Sequence, residues 1–250
     1  MKKITIVAMI CFFIASSVSA QDITVDEIVN NYFENTGGLE NWKALEGIKI
    51  TAKLNQGGME IPIEIVTLSD GRTYTKFNLQ GTDIYQGVFD GETLWSINFQ
   101  SMKAEKSDAE ATNNFKLNQN DFPDPFVDYK DKGYTAELLG TETIDGAETY
   151  KVKLVQEPIM VNGEEKENIT YFYFDTEAFV PIAQDSEVNQ GPQAGVIQRV
   201  TQSDFDEVEG LYFPFSMTQG IKDGPSQPIS IEKIEVNPDI DDSVFTYPGE

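Results

Sequence analysis

The sequence predicts a mainly β (α+β) fold: a curled antiparallel sheet, or incomplete β-barrel, of about 11 strands, with N-terminal helices and a mid-chain helical loop as its lid. Two observations carry the β assignment. Over residues 48–99 apolar and polar side chains alternate in short runs separated by turn signals, the period of a half-buried strand. The same pattern resumes over 134–236. A third observation sets the shape: a sheet this wide curls instead of staying flat, and so acquires a concave apolar face.

Each element follows in order. Thr24 with Glu27 three residues on is a capping box, and Ile28, Val29, Tyr32 and Phe33 share one face of the helix it opens. Gly37-Gly38 stops that helix, and 39–45, with Trp42 and Leu45 three apart, reads as a second one ended by Gly47. Both are too short to be stable alone, so they are expected to lie across a face or mouth of the sheet. Strands are expected over 48–54, 61–65, 73–79, 84–89 and 93–99. Gln56-Gly57-Gly58, Asp70-Gly71, Gly81 and Asp90-Gly91 separate them, because Gly and Asp adopt the backbone conformations of tight turns. Residues 103–116 lack strand alternation, and 108–117 reads as weakly helical. In Asn120-Asp121-Phe122-Pro123-Asp124-Pro125-Phe126 the prolines exclude a helix interior and a central strand. That leaves an apolar loop suited to a pocket rim or to a buried connection. Further strands follow over 134–139, 150–155, 169–174, 179–187, 196–205, 212–218 and 229–236, with turns at Asp145-Gly146, Asn162-Gly163, Asp175-Thr176 and Asp223-Gly224.

Residues 1–20 read as a secretory leader. A basic start, Met1-Lys2-Lys3, precedes an apolar run over 4–14 and a small-residue ending at Ala20. The run is shorter than the roughly 20 residues a membrane span needs. Cleavage after Ala20 would leave 21–250 as a single domain in the periplasm. The one Cys, Cys11, leaves with the leader, so no disulfide is expected. The chain has 42 acidic and 18 basic residues, a net charge of −24. Such a surface repels nucleic acid and anionic membrane faces. It has no His, which excludes imidazole chemistry and most zinc and copper sites.

No nucleophile elbow and no phosphate-cradling Gly loop occurs, and no catalytic residue, cofactor or metal is expected. Asp121, Asp124 and Asp128, like Asp239, Asp241 and Asp242, lack the order of a calcium loop and read as solvated turn carboxylates. Aromatic residues are concentrated in the strands, and 171–174 is aromatic on both faces. An unfilled concave face would be a greasy ligand trough. The candidate cavity residues are Phe77, Phe89, Trp95, Phe172, Phe174 and Phe215. Strand parity assigns each to a face without saying which face is concave.

Five stretches resemble a known family in their order along the chain. They are Val25-Asp26-Glu27-Ile28-Val29 running to Thr36-Gly37-Gly38, Phe89-Asp90-Gly91-Glu92-Thr93-Leu94-Trp95, Tyr173-Phe174-Asp175-Thr176-Glu177, Val208-Glu209-Gly210-Leu211-Tyr212-Phe213-Pro214, and Val236-Asn237-Pro238 to Ser243-Val244-Phe245. The family is that of outer-membrane lipoprotein-sorting proteins (LolA/LolB-like fold), as found among Bacteroidetes-type exported proteins. The resemblance implies an incomplete antiparallel barrel with helices over a hydrophobic cavity that shelters acyl chains and has no catalytic residues. It also implies a basic residue near the cavity. Arg72 and Arg199 are the only Arg residues here, and neither can be matched to that role. The expected function is a periplasmic, non-enzymatic carrier or binding protein for a lipid or lipoprotein acyl group. An envelope protein is a possible further partner; nucleic acid is not, and the chain is not membrane-spanning. The alternatives are an envelope structural or interaction module whose cavity is filled, and a carboxylate-dependent hydrolase.

Overall fold

A computed structural model describes residues 23–189 and 191–249. The expected leader, with Cys11, lies outside the described residues. Two helices open the fold, α1 (Val25–Asn35) and α2 (Leu39–Lys43). A first meander follows: β1 (Gly47–Gln56), β2 (Met59–Leu68), β3 (Thr73–Leu79), β4 (Thr82–Phe89), β5 (Leu94–Ile97) and β6 (Ala104–Lys106). After α3 (Ala109–Leu117) comes a second: β7 (Thr135–Ile144), β8 (Ala147–Val161), β9 (Glu164–Asp175), β10 (Pro181–Glu187), β11 (Ile197–Val208), β12 (Leu211–Ile221) and β13 (Ser226–Val236). The 13 strands make one antiparallel sheet, ordered β6-β5-β4-β3-β2-β1-β13-β12-β11-β10-β9-β8-β7. The first and last strands join the two meanders, with Ile50 opposite Ile234. The sheet does not close, and β6 and β7 are its edges.

The mainly β, open curled fold matches the sequence expectation, with 13 strands where about 11 were anticipated. The strand with no counterpart among the ranges expected above is β6, because three residues are too few to show alternation. It pairs Ala104 with Ile97 and Lys106 with Trp95. Its brevity and its Glu105 and Lys106 suit an edge that must not recruit another strand. Boundaries also move: β8 and β9 run well beyond the expected 150–155 and 169–174. Helix α2 stops at Lys43 instead of Leu45, and β10 starts at Pro181 because Phe179 adopts φ +60° in the preceding turn.

The capping box at Thr24 forms as expected: its hydroxyl accepts from Glu27 N–H, and Glu27 accepts from Thr24 N–H at 2.8 Å. Helix α1 buries Ile28, Val29, Tyr32 and Phe33 against the concave face. Its exit is fixed at Gly37, where φ is +111° and a Cβ would stand 2.1 Å from the Gly210 carbonyl oxygen, so only glycine fits. Trp42 then packs on Phe213, ring centroids 5.2 Å apart, and donates its indole N–H to the Thr36 carbonyl.

The proline loop is half-buried over 120–125, where it edges a small cavity, and becomes a buried connection at Phe126 and Val127. Phe126 is buried beneath α1, with Phe172 at 4.9 Å and Phe174 at 5.4 Å between ring centroids. Helix α3, capped by the Asp108 carboxylate, bridges the opening of the sheet. On one side Phe115 packs on Phe89 of β4, 5.5 Å between rings. On the other, Asn114 exchanges two hydrogen bonds with Met160 at the end of β8. Glu110 accepts from Asn162 and Gly163 N–H in the β8–β9 turn at 2.9 and 2.7 Å. The helix therefore clasps the two meanders together where the strands do not.

Candidate functional site

The concave face has two halves. One is filled: α1, α2 and the proline loop cover β8, β9 and the start of β12 with Tyr32, Phe33, Trp42, Phe126 and Tyr129. The other stays open. A cavity of about 730 Å³ lies there, within the range of roughly 300–1,000 Å³ usual for small-molecule sites. Its apolar wall is Leu54 of β1, Ile63 and Ile65 of β2, Phe77 of β3 and Ile229 of β13. These residues alternate along their strands, and the register sets Ile63 opposite Phe77 and Leu54 opposite Ile229, so the pleat turns all five inward. The facing wall runs from Val188 and Val196 to Ile221 and contains no residue of α1 or α2. Gln193, Gln219, Ile221, Pro225 and Gln227 are exposed, so the cavity opens between the β10–β11 and β12–β13 turns.

Of the six aromatic candidates, the structure places Phe77 in the cavity wall. Phe89 is fully buried on the same face, under α3. The β-bulge at Gly87, φ +58°, brings it there: Thr75 faces Gln86 and Thr73 faces Phe89, one residue out of simple alternation. Phe172 and Phe174 are buried in the filled half, and Phe215 packs against that core from β12. Trp95 lies on the opposite face with Val66, Tyr74 and Phe245, donating its indole N–H to the Phe245 carbonyl at 3.0 Å. The aliphatic residues Leu54, Ile63, Ile65 and Ile229 were not singled out from the sequence. Their alternation was visible; that no helix covers them was not.

Among the described residues the cavity lining contains no charged side chain. Both arginines are engaged elsewhere. Arg199 donates to Asp185 at 2.6 and 2.7 Å on the convex face, where Lys222 and Tyr173 meet the same carboxylate at 2.8 Å. Asp185 is 2% exposed. Burial alone would push its carboxyl up, but the bonds from Arg199, Lys222 and Tyr173 outweigh this and hold it below the usual range. Arg72 pairs with Asp70 and Asp242 and lies over the Phe245 ring.

Asp128, Asp239, Asp241 and Asp242 are exposed turn carboxylates as expected, whereas Asp121 and Asp124 are not. Tyr134 and Gln156 donate to Asp121, whose carboxyl burial pushes upward. Tyr32 of α1 donates to Asp124 at 3.1 Å, and burial pushes that carboxyl up to about 6. Asp128 pairs with Lys43 at 2.7 Å, and Asp241 caps a short 3₁₀ turn through Ser243 N–H. Among the described residues no three such groups converge as a metal site. A second cavity, of about 200 Å³, lies between Ile48, Ile50 and Thr67 and the loop residues Asn118, Asp121, Phe122 and Pro123, and shares Ile65 with the first. No described helix is long and apolar enough to cross a membrane.

No protein-family model and no curated protein matches the chain. Solved structures do. A LolA superfamily protein from Nitrosomonas europaea is 12% identical, with a TM-score of 0.53 over 90% of this chain and 98% of that one. A DUF1329 family protein from Desulfovibrio piger is 13% identical, with a TM-score of 0.52 over 89% of this chain and 97% of that one. An outer membrane lipoprotein-sorting protein domain from Vibrio parahaemolyticus is 11% identical, with a TM-score of 0.52 over 88% of this chain and 94% of that one. Likeness at such identities speaks to architecture alone. The open 13-stranded sheet with helices filling half of its concave face is a LolA-like fold.

Proposed function

We propose that this protein is a non-enzymatic carrier or binding protein for a lipid or lipoprotein acyl group, working in the periplasm after removal of residues 1–20. The observation that carries the reading is the uncovered half of the concave sheet. The two N-terminal helices cover Phe172, Phe174 and Phe213, yet Leu54, Ile65, Phe77 and Ile229 are only half-buried and line an open cavity, with Ile63 buried in its wall. An acyl chain laid against them would gain about 0.8 kcal/mol per buried methylene, less the cost of ordering it. Phe77 would touch the chain. Phe89, Phe172, Phe174 and Phe215 would act from beside and beneath it by keeping the sheet curled. The mouth lies at the strand turns, so loading would not require α1 and α2 to swing away.

The test is native mass spectrometry with lipid extraction on protein purified from the periplasm of its own host. An acyl species that copurifies, and is lost in the Ile63→Arg variant, supports the reading. A bare polypeptide mass that lipid addition does not change would overturn it and favour a packed interaction module.

A further inference from the structure

The polar part of the cavity is built almost entirely of one side chain. Gln86, Gln193, Gln198, Gln219 and Gln227 all line it, and among the described residues no Asp, Glu, Lys or Arg does. Three of them form a row across the mouth. Gln219 of β12 stands directly opposite Gln227 of β13, and Gln198 of β11 lies on the same face, diagonal to Gln219 across the Val200–Gln219 pair. Among the described residues no hydrogen bond is made by the side chains of these three, whereas Gln86 gives its Nε2 to the Ile97 carbonyl at 2.6 Å. The cations beside the mouth are spoken for: Lys166 pairs with Glu187 at 2.6 Å, and Lys222 pairs with Asp185 on the far face.

We infer that the cavity selects amphiphiles with an uncharged, hydrogen-bonding head group, such as a polyol ester, over ionised ones carrying the same acyl chain. This rests on the acyl-binding reading above and names the class of ligand within it. Each primary amide offers two donors and an acceptor carbonyl, so the row can meet hydroxyl and ester oxygens in either sense. A carboxylate or phosphate head would meet the same amide donors but no counter-charge, and would give up part of its hydration where it enters the mouth. The net charge of −24 would repel it further.

The experiment displaces an uncharged apolar dye, N-phenyl-1-naphthylamine, with monopalmitoylglycerol or with palmitate at a pH where the acid is ionised. The expected result is that monopalmitoylglycerol displaces at a concentration at least about 10-fold lower. The Gln198→Leu/Gln219→Leu/Gln227→Leu variant should bring the two within about 2-fold while still binding the dye, since the apolar wall is untouched. Gln219→Glu, a near-isosteric change at an exposed position, should raise displacement by hexadecyltrimethylammonium. Equal displacement by ester and acid, or a preference that survives the triple substitution, would overturn the inference and leave acyl binding standing. A folded protein that binds neither dye nor lipid would overturn both.

Discussion

Asp185 shows how one carboxylate can hold a sheet face. It receives bonds from Tyr173, Arg199 and Lys222, three side chains on or just beyond three different strands, and is all but inaccessible. Removing it strands a phenol and two cations in a half-buried setting. Asp185→Ala is therefore expected to lose about 3–5 kcal/mol, measured by chemical denaturation. Because its folded pKa is depressed, the stability it contributes is present above the unfolded carboxylate value of 3.8 and is lost as pH falls through the folded value. Asp124 has the opposite sign. Burial raises it to about 6, so its contribution is present below 3.8 and is lost as pH rises through 6. Asp124→Asn keeps a carbonyl oxygen for the Phe126 N–H that Oδ1 accepts at 2.8 Å, turns its amide N–H towards the Tyr32 hydroxyl oxygen, and carries no charge. The variant should gain on the native protein between pH 4 and 7, by at most about 3 kcal/mol. A difference in melting temperature that is flat with pH would refute this.

At the scale of elements, the device peculiar to this chain is the α3 clasp. Antiparallel strands satisfy one another only where they pair, and the edges β6 and β7 do not meet. Helix α3 spans the gap with Phe115 on one side and with Glu110 and Asn114 on the other. Its polar contacts are exposed, so each is worth only about 0.5–1.5 kcal/mol. The Glu110→Ala/Asn114→Ala variant is expected to leave global stability within about 2 kcal/mol of native while speeding amide exchange in α3 and in the β8–β9 turn. Uniformly faster exchange across the sheet would show instead that the clasp supports the whole fold. The helices α1 and α2 are a different kind of element, with their aromatic faces part of the main core and no tolerance at Gly37.

For the whole molecule, the question is whether the open half of the trough is a flaw or a site. Core voids are costly, and filling one stabilises a protein when the added side chain fits. Ile63→Trp puts an indole into the cavity. Unchanged or raised stability together with lost acyl binding is the expected outcome. Lost stability with binding retained would mean that the wall is core and that ligands go elsewhere. Much of this scale was legible beforehand: alternation and turn residues located twelve of the strands, and the helical faces of α1 were right to the residue. What escaped was either too short to carry a period, as with β6, or depended on a bulge. At Gly87 the count shifts by one, and parity alone cannot say that Phe89 joins the concave face while Trp95 leaves it for Phe245.

The sequence by itself determined the local rules: a β-rich chain with one apolar face per strand, two short amphipathic helices that need a sheet to lie on, an acidic exterior, and no imidazole or disulfide. These are properties of neighbours along the chain, where period, turn chemistry and charge act over a few residues. Only the tertiary structure decided that the helices fill one half of the trough and leave the other open, that both arginines turn away from it, and that three glutamines from separate strands meet at its mouth. Those outcomes depend on curvature and register, which sum small twists and bulges across 13 strands. No window of sequence contains that sum.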